Sequence, residues 1–496
     1  MKVFLWGCPD KEVIISSTAK ALRLPCLTLT EVADSPATNT LKVSLKHANL
    51  DTSYFTRPCY DVAVNRRVDG KPVWMGTQFN LFPVVLDSNG VPWAEAVVYL
   101  LSRLENSIEP NMETYRCIAD DLAAYLRFIE DSSIVWTEFP LSKLLRPTYR
   151  YRASLMLDIA SGTLSSSTAK RRMGAVVGFY RWLISESVLK PECQPWTESD
   201  RFITFSDSRG LSVGKKVATT DLKILTPKSN DPYGEHIEDG GKLRPLELAE
   251  QEVVLQSLGE YGNTELTLIH LIALFTGARL QTVLTLKVMT VNEVMLSHDG
   301  LDVRIPVGLG TGVDTKKGKP HVLHMPKWLW ERLVIYANSV RAIKRRERAN
   351  GGDYRGQYLF LSVRGAPFYE SRSEALIYDE EKNLRHTKTG QAVRQLISQY
   401  IIPRIRKRLS GSFSYRFHDL RATYGMNLTD QQLVRVQRGE ISLHEAREFV
   451  KTRMGHESSQ TTDLYLNYRG RIKFHRAVND AYGEHLRGLI TGVFGF

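Results

Sequence analysis

Apolar residues recur at three- and four-residue steps in two stretches of the first half of the chain, and this spacing predicts two amphipathic helices. The first stretch is ETYRCIADDLAAYLRFIE, whose apolar face carries Ile118, Leu122, Tyr125 and Ile129. The second follows Ser165–Thr168, whose hydroxyl side chains are all suited to capping a helix, and its apolar stripe runs from Met173 to Ile184. The first ninety or so residues instead have short apolar runs broken by Pro, Gly and Asn, which favours mixed or β-rich structure.

From Leu246 onward, the pattern predicts helices, then strands, then helices again. LELAEQEVVLQSL and ELTLIHLIALF have helical spacing, LDVRIPV alternates as a strand does, and TKKGKPHVLHMP is typical of a Lys/Gly turn that leads into another strand. Helical spacing resumes in KWLWERLVIYANSVRAIKRRERA and GQAVRQLISQYIIPRIRKRL. Helices on either side of a small antiparallel sheet indicate the α+β class.

The segment between these two regions is polar and Gly-rich and has no sustained periodicity, so it is predicted to be a linker. We therefore expect an N-terminal extension of unknown role at residues 1–94, a helical domain at 95–205, the linker at 206–245, and a second domain at 246–496 that ends in a tail. The predicted fold class is multidomain and mainly α, with an α+β second domain that contains a small antiparallel sheet. A length of 496 residues agrees with more than one domain.

The charge balance indicates a polyanionic partner. The chain has 66 Lys and Arg against 54 Asp and Glu, a net charge of +12, which favours nucleic acid or an anionic membrane surface. No apolar run is long enough to span a bilayer and the N-terminus lacks a secretory signal, so we expect a cytoplasmic protein, nucleoid-associated if its partner is DNA. The five cysteines are widely spaced without a C-x-x-C pair, which predicts reduced thiols rather than disulfides or a zinc ribbon.

Four short stretches carry side chains suited to phosphodiester chemistry: TGARLQTVLTL, TKKGKPHVLHMP, FHDLRATYG and MGHESSQTTDLY. Each alone has an ordinary explanation, such as a surface ion pair, a solvated hairpin or a core tyrosine. Together they supply two guanidiniums that can hold the non-bridging oxygens of a phosphate, and a phenol that can attack phosphorus once a base takes its proton. A lysine ammonium can protonate the departing sugar oxygen. None of these roles requires a metal ion.

In order and local spacing, these motifs resemble those of the tyrosine recombinases, the phage-integrase family, over residues 248–468. The histidine of MGHESS stands nine residues before the tyrosine of TTDLY, as is usual in that family. The resemblance implies a catalytic set consisting of Arg279, Lys316, His418, Arg421, His456 and Tyr465, in which the tyrosine is the nucleophile. It implies no metal and no other cofactor.

Other residues compete for two of these roles. Lys317 and Lys319 are rivals for the hairpin lysine, because hairpin registers slip easily. Lys388 lies in a second TKTG sequence, although that one runs into a helical pattern rather than a strand. Tyr468 lies one helical turn beyond the predicted nucleophile and is the competing tyrosine.

Two features depart from the family pattern. The family usually has an acidic residue three positions after the first arginine, where this chain has Thr282. Some other residue would then hold the neighbouring catalytic groups, or the site would become ordered only on DNA. In addition, the segment between Arg421 and His456 is longer than in compact family members and is predicted to include an extra helical piece.

The resemblance implies a site-specific recombinase that wraps DNA between two domains and passes strands through a 3′-phosphotyrosyl link without ATP. It further implies the integration or excision of a mobile element, a homo-tetramer on paired DNA sites, and possible helper proteins. The basic residues expected to contact DNA are Lys170, Arg171, Arg172, Lys215 and Lys216. The C-terminal tail is expected to form a helix, packed either on a neighbouring protomer or on its own domain.

Two other functions fit the same residues. A type IB topoisomerase-like enzyme would use the same catalytic set but religate the original strand. A non-catalytic DNA-binding subunit would keep the fold without the chemistry, and the missing acid at Thr282 is the feature that favours it.

Overall fold

The computed structural model describes residues 18–24, 27–32, 40–44, 52–55, 67–68, 71–72, 77–79, 81–104, 111–206, 212–225, 236–292, 295–296, 300, 302–375, 388–409 and 411–470. These residues form two compact units. The first takes in the described parts of 18–205, 212–225 and 372–375, and the second those of 236–371 and 388–470. The predicted tail helix beyond residue 470 lies outside the described residues. The four-part domain division stays a prediction.

The first unit begins with short strands and continues with helices. Its strands up to the first helix are β1 (Lys20–Leu24), β2 (Leu27–Val32), β3 (Thr40–Ser44), β4 (Thr52–Phe55), β5 (Arg67–Val68), β6 (Lys71–Pro72), β7 (Thr77–Phe79) and β8 (Phe82–Leu86). Helices α1 (Ala94–Leu104), α2 (Met112–Asp131), α3 (Pro147–Ala160) and α4 (Ser166–Ser185) follow, and then strands β9 (Glu198–Ser206) and β10 (Ser212–Thr220). A 3-10 turn at Lys143–Leu145 precedes α3.

The strands before α1 pair antiparallel, in agreement with the mixed or β-rich structure predicted there. Strands β4, β3, β2 and β7 lie in that order in one sheet, and β5 pairs with β6. Strand β1 pairs with β8, with Lys20 opposite Leu86 and Leu24 opposite Phe82. The whole of β8 is buried, so this pair closes one side of the helical core.

Helices α2 and α4 confirm the two amphipathic helices predicted from the apolar spacing. Asn111 caps α2 by accepting a hydrogen bond from the backbone N–H of Glu113, and Ser165 caps α4 by accepting one from Thr168. The two helices meet at buried tyrosines, where the Tyr125 hydroxyl lies 2.6 Å from that of Tyr180. Tyr180 in turn donates to the carbonyl of Trp136, so each buried hydroxyl has a partner. The two cysteines described here, Cys117 and Cys193, are free thiols.

Strands β9 and β10 pair with each other and extend through part of the segment that the sequence predicts to be a linker. Cross-strand polar contacts join the pair: Lys216 Nζ lies 2.8 Å from Asp200 Oδ2, and the hydroxyls of Ser199 and Thr219 are 3.1 Å apart. The β9 sequence ESDRFITFS also contains aromatic and β-branched residues, which are typical of a strand, and Phe202 is exposed. These residues were a local strand signal, although the segment that follows has no sustained periodicity.

The second unit opens with the short strands β11 (Ile237–Glu238) and β12 (Lys242–Leu243). The elements that follow are α5 (Leu248–Tyr261), α6 (Thr264–Thr276), α7 (Leu280–Leu284), α8 (Val288–Asn292), β13 (Met295–Leu296), β14 (Asp302–Val307), β15 (His321–Pro326), α9 (Lys327–Ala337) and α10 (Val340–Glu347). After α11 (Arg372–Ala375), which belongs to the first unit, come α12 (Gln391–Leu396), α13 (Ile402–Arg406), α14 (Asp419–Gln437), α15 (Leu443–Met454) and α16 (459–470). A π-helical turn at Ile397–Ile401 joins α12 to α13, and a 3-10 turn spans Lys316–Gly318.

Helix α6 and the small sheet form the centre of the second unit. The sheet has the order β13-β14-β15, and in the pairing of β14 with β15 Asp302 lies opposite Pro326 and Val307 opposite His321. Most of α6 is buried between this sheet and the surrounding helices. The two units are thus mainly helical with small antiparallel sheets, which confirms the predicted fold class.

The connection between β14 and β15 confirms the predicted strand, Lys/Gly turn and strand. It contains the 3-10 turn at Lys316–Gly318, and Lys317 has a positive φ of 61°. The competing TKTG sequence has a different setting: Thr389 pairs with Tyr369 in an isolated bridge, and Gly390 caps α12. Lys388 therefore precedes a helix, as the sequence predicted.

Helices α14, α15 and α16 carry the last motifs. Helix α14 continues from Asp419 to Gln437, and α15 follows it through the Ser442 capping box, in which Ser442 and Glu445 each accept from the other's backbone N–H. The long segment between the FHDLR and MGHESS motifs thus contains most of α14 and nearly all of α15. The segment is helical, and its being an addition to the family pattern stays a prediction. Within the described part of the chain, no helix is long and apolar enough to cross a membrane.

Candidate active site

The second arginine and its histidine lie at the start of α14. His418 directly precedes the helix, and Arg421 lies in its first turn and is only 4% exposed. The buried carboxylate of Asp419 fixes this end by accepting hydrogen bonds from the backbone N–H groups of Arg244 at 3.1 Å and Arg416 at 2.7 Å. An acidic residue in the first turn also interacts favourably with the positive end of the helix dipole.

The first arginine lies in the sharp connection between α6 and α7. Gly277 ends α6 in the left-handed conformation with φ 67°, and Arg279 stands directly before α7. A Cβ at Gly277 would lie 2.6 Å from a ring carbon of Tyr424, so glycine is required here by both backbone conformation and space. Arg421 Nη1 donates to the Gly277 carbonyl at 2.9 Å, which ties the two arginine motifs together.

The third motif places a histidine against the predicted nucleophile. Gly455 ends α15 in the left-handed conformation, and the next residue, His456, turns its ring onto Tyr465 of α16, with ring centroids 5.7 Å apart and 29° between planes. Arg421 Nη2 donates to the Met454 carbonyl at 2.8 Å, which holds the end of α15 near α14. Tyr465 is fully buried, and Tyr468 lies in the same apolar cluster.

These side chains meet at a residue that the sequence did not identify, Asp239, in the turn between β11 and β12. Its Oδ2 accepts hydrogen bonds from Arg421 Nε at 2.8 Å, from the Tyr465 hydroxyl at 3.1 Å and from His456 Nε2 at 3.3 Å. Arg279 Nη2 lies 3.7 Å from Oδ1. One carboxylate thus contacts four of the six predicted catalytic side chains.

The two remaining members of the set border the same turn. A Cβ at Gly240 would lie 3.3 Å from Lys316 Nζ and 3.9 Å from His418 Nε2. Lys319, the rival lysine, extends instead toward the MGHESS motif, where its Nζ donates to the Gly455 carbonyl at 3.4 Å. Lys316 and His418 therefore both border the turn that carries Asp239, and the choice among the lysines stays a prediction.

The charges of the site act strongly on its titratable groups. Burial alone would raise the pKa of Asp239, but the hydrogen bond from His456 and the charge of Arg421 outweigh it and hold the pKa well below its usual range. Burial, together with the charge of Asp239, raises the pKa of Tyr465 well above its usual value. The carboxylate is therefore ionised and the phenol protonated at neutral pH.

Both predicted histidines are neutral near pH 7. Burial, followed by the charges of Arg421 and Arg279, lowers the pKa of His418 to about 4. Burial also lowers the pKa of His456, although Asp239 opposes that shift. A neutral His456 can donate from Nε2 to the carboxylate while its Nδ1 accepts from the Thr462 hydroxyl, 3.0 Å away.

A further histidine, which the sequence did not single out, lies beside the site. His321 begins β15, and a Cβ at Gly455 would lie 2.9 Å from its ring. Burial, followed by the charge of Arg421, lowers the pKa of His321 to about 4. The one signal in the sequence that His321 lies at the site was its position directly after the Lys/Gly turn. No spacing linked it to the other motifs.

Asp239 had only an indirect signal in the sequence. The Thr at position 282, buried in α7, showed that an acid was missing from its usual place and that another residue would be needed. Asp239 lies 43 positions before Thr282, in a segment without periodicity that was predicted to be a linker. Only the folded chain brings it to the arginines.

The basic residues predicted to contact DNA in the first unit have mixed settings. Lys170 is exposed on α4, whereas Arg171 Nη1 lies 3.0 Å from Asp121 Oδ2, with Arg172 near the same carboxylate. Burial raises the pKa of Asp121 to about 6 against the charges of these two arginines. Lys216 pairs with Asp200 across β9 and β10, and the side chain of Lys215 lies outside the described residues. Their contact with DNA stays a prediction.

No protein-family model and no curated protein sequence matches the chain. Solved structures of similar fold include the XerH site-specific recombinase bound to palindromic difH substrate in a post-cleavage complex, at 15% identity and a TM-score of 0.42, covering 78% of this chain and 88% of that one. A Tn1549 transposon integrase in complex with a circular intermediate DNA has 14% identity, a TM-score of 0.43 and coverage of 77% and 99%. A lambda integrase dimer bound to a COC′ core site has 15% identity, a TM-score of 0.42 and coverage of 76% and 96%.

With TM-scores below 0.5 and identities near 15%, the similarity assigns no activity to this chain. The chemistry of the site has to come from its own residues: two guanidiniums, a lysine, two neutral imidazoles and a buried phenol around one anion.

Proposed function

We propose that this chain is a site-specific DNA recombinase or integrase that cuts and rejoins DNA through a 3′-phosphotyrosyl intermediate, with Tyr465 as the nucleophile. The observation that carries this proposal is the convergence of Arg421, His456 and Tyr465 on one carboxylate oxygen, with Arg279 at the other. A phosphodiester has the same single negative charge and two equivalent oxygens, so the same donors can hold a DNA phosphate. The phenol would then lie beside the phosphorus.

In the proposed reaction, the Tyr465 oxygen attacks the phosphorus and the bond from phosphorus to the 5′ oxygen breaks. The phenol proton passes to a neutral imidazole. His418 is the candidate, because Nε2 of His456 donates to the anion and its Nδ1 accepts from the Thr462 hydroxyl. Lys316 supplies a proton to the departing 5′ oxygen. The arginines offset the charge that develops on the non-bridging oxygens.

Rejoining is the reverse of this step with a different strand. A 5′-hydroxyl attacks the phosphotyrosyl phosphorus, the bond to the Tyr465 oxygen breaks, and the phenol regains its proton. One phosphodiester is exchanged for one phosphotyrosyl bond in each direction, so the cycle needs no ATP. We extend the proposal to a homo-tetramer on two DNA sites that serves the integration or excision of a mobile element.

The test is a denaturation-resistant adduct assay on nicked duplex fragments taken from the DNA that flanks the chain's own gene. The wild-type chain is expected to form covalent protein–DNA adducts, and Tyr465→Phe is expected to bind the same DNA without forming them. Tyr468→Phe is the matched control, because it removes the neighbouring phenol and should keep the adducts. Adducts that persist in Tyr465→Phe would contradict the assignment of the nucleophile.

The same protein and DNA fragments distinguish recombination from the two alternative functions. Strand exchange between two fragments, with synapsed sites, supports the recombinase. Relaxation of supercoiled DNA by a monomer, with no exchange, would instead indicate a topoisomerase-like enzyme. Tight, salt-sensitive DNA binding with no adduct on any fragment would indicate a non-catalytic DNA-binding subunit.

A further inference from the structure

The turn that carries Asp239 is built to hold its carboxylate in the site. Strands β11 and β12 pair as a minimal hairpin, with Ile237 opposite Leu243 and Glu238 opposite Lys242. The three residues between them are Asp239, Gly240 and Gly241, and Gly240 has a φ of 72°. Two glycines in succession allow the chain to reverse within this turn, which a residue with a side chain would strain.

Contacts with the rest of the second unit also hold the hairpin in place. Ile237 and Leu243 are buried in the apolar cluster that contains Tyr465 and Met454. On the side of β12, Arg416 Nη2 donates to the Lys242 carbonyl at 2.6 Å. The backbone N–H groups of Arg244 and Leu246 donate to side chains of α14, and this end of the hairpin is therefore attached to the helix that carries Arg421.

The tip of the hairpin faces solvent while its carboxylate faces inward. Glu238, Gly240 and Gly241 are exposed, whereas Asp239 is 5% exposed. The hairpin is thus a surface element that inserts one buried negative charge among the catalytic residues. Movement of its tip alone would withdraw the carboxylate.

One anion position cannot serve two anions at once. The donors that a scissile phosphate would need, from Arg421, His456 and Arg279, already face the oxygens of Asp239. A phosphodiester placed beside an ionised carboxylate would meet a like charge at close range, in a buried part of the site. The site can therefore hold either the Asp239 carboxylate or a DNA phosphate, but not both at once.

The carboxylate also holds the nucleophile in its unreactive form. The Tyr465 hydroxyl donates to Asp239, and the negative charge of Asp239 adds to burial in raising the pKa of the phenol. A phenolate at this position would face a carboxylate at hydrogen-bond distance. Withdrawal of Asp239 frees the Tyr465 hydroxyl from this hydrogen bond, so that its oxygen can approach a phosphorus held by the same donors.

We propose that Asp239 is an internal substitute for the scissile phosphate, so that the β11–β12 hairpin keeps the site closed until a DNA phosphate displaces it. This inference rests on the proposed function, because it identifies the anion position as that of the DNA phosphate. It assigns to the hairpin an autoinhibitory contact within the second unit.

The test compares single-turnover adduct formation on nicked duplex DNA by the full chain and its variants. Asp239→Asn keeps the size of the side chain but removes its charge, and adduct formation is expected to be about tenfold faster, since a neutral amide holds the arginines less strongly than a carboxylate. Glu238→Gln is the matched control: it removes an exposed carboxylate from the same hairpin and should leave the rate unchanged. An Asp239→Asn variant that is folded but slower would overturn the proposal and make Asp239 a positioning acid, and an unchanged rate would overturn it too.

A second variant leaves every contacting side chain in place. Gly241 has a φ of 159° and no heavy atom within 4 Å of the position of a Cβ, so Gly241→Ala strains the docked hairpin without a collision. Adduct formation is expected to be about fivefold faster than in the wild type, from a strain of about 1 kcal/mol or more. A rate equal to or below that of the wild type would contradict displacement of the hairpin, even if Asp239→Asn failed to fold.

A readout without DNA separates this inference from the proposed function. Inorganic phosphate, compared with chloride at equal ionic strength, is expected to raise the thermal midpoint of Asp239→Asn by about 2–4 °C and to leave the wild type unchanged. If phosphate stabilises Asp239→Asn but neither the wild type nor any variant forms an adduct, the anion-binding position is supported and the proposed recombinase is refuted. The opposite result would refute the inference and leave the proposed recombinase intact. In that case the wild type forms adducts, Asp239→Asn forms them no faster, and phosphate does not raise the thermal midpoint of the variant.

Discussion

Arg421 joins three parts of the site through one buried side chain. Its Nη atoms donate to the carbonyls of Gly277 and Met454, which fixes the loop before Arg279 and the end of α15. Its Nε is directed at the anion position. The same guanidinium therefore aligns its neighbours and binds the charge, a combination that a lysine ammonium does not reproduce.

Arg421→Lys is therefore expected to retain DNA binding but to lower the rate of adduct formation by about 10²–10³. It should also lower the free energy of unfolding by about 1–3 kcal/mol, since buried carbonyls lose their donors. Single-turnover kinetics and urea unfolding measure the two effects. Arg435→Lys, on the exposed side of the same helix, is the control and should change neither. A wild-type rate in Arg421→Lys would contradict the proposed clamp.

His270 gives the fold a pH dependence that is independent of the site. The ring is fully buried in α6, where Nδ1 donates to the Leu266 carbonyl at 2.7 Å and Nε2 accepts from the Tyr415 hydroxyl at 3.0 Å. Burial lowers its pKa to about 4 in the folded chain, against about 6.5 when unfolded. The unfolded chain therefore binds more protons between these pH values, and stability falls as the pH falls through that window.

We expect the free energy of unfolding to lose about 3 kcal/mol from this residue between pH 7 and pH 4. In His270→Gln this component disappears, so the stability advantage of the wild type over the variant should shrink as the pH falls. Urea unfolding at a series of pH values measures it. Val434→Ala, which replaces an exposed side chain without a titratable group, is the control and should leave the difference constant. A wild-type advantage that did not change with pH would contradict the buried neutral ring.

At the scale of the elements, α14 supports both ends of the site. Its first turn carries Arg421, and one turn later Gly425 makes room for the proposed nucleophile: a Cβ there would lie 2.5 Å from Tyr465 Cε1 and 3.0 Å from Met454 Cε. The ring of Tyr465 thus rests directly on the helix backbone. This packing fixes the phenol relative to the arginine.

Gly425→Ala is expected to displace the Tyr465 ring and slow adduct formation by about 10². It should also be destabilising by about 1–3 kcal/mol, since the added methyl overpacks a buried contact. Gly259→Ala in α5, where no heavy atom lies within 4 Å of the Cβ position, should instead stabilise the chain by about 0.5–1 kcal/mol and leave the rate unchanged. Equal effects of the two substitutions would contradict the packing described here.

The elements with strong periodicity were predictable from the sequence, and the contacts between distant segments were not. Helices α2 and α4 and the strands β14 and β15 follow from apolar spacing, because each buries one face. The β9–β10 pair was missed: the run RFITF in β9 is rich in aromatic and β-branched residues, but the polar, Gly-rich residues after it have no sustained periodicity. Asp239 was not predictable, because its role depends on the packing of the hairpin against α14 and α16, a contact that no local pattern encodes.

At the scale of the whole molecule, the net charge of +12 supports the proposed binding of DNA. Binding of basic residues to phosphates releases counterions, which makes affinity steeply dependent on salt. Lys170 is the predicted contact that is best placed to take part, because it is exposed on α4, whereas Arg171 pairs with Asp121.

We expect the DNA affinity of the chain to fall by about 10³ or more between about 50 and 200 mM salt. Lys170→Gln should weaken binding equally on all sequences and reduce the slope of the logarithm of affinity against that of salt by about one. Fluorescence anisotropy at several salt concentrations measures both quantities. Lys190→Gln, exposed in the same unit but not predicted to contact DNA, is the control. Affinity independent of salt would contradict a phosphate-based interface.

The most direct test of the central claim is to locate the covalent bond between protein and DNA. The trapped wild-type adduct would be digested with trypsin and nuclease, and the peptide from Met454 to Arg469 examined by fragmentation mass spectrometry for an attached 3′-nucleotide. The account predicts the modification on Tyr465, with its hydroxyl beside the arginines. A nucleotide on Tyr468, or on any other residue, would contradict it.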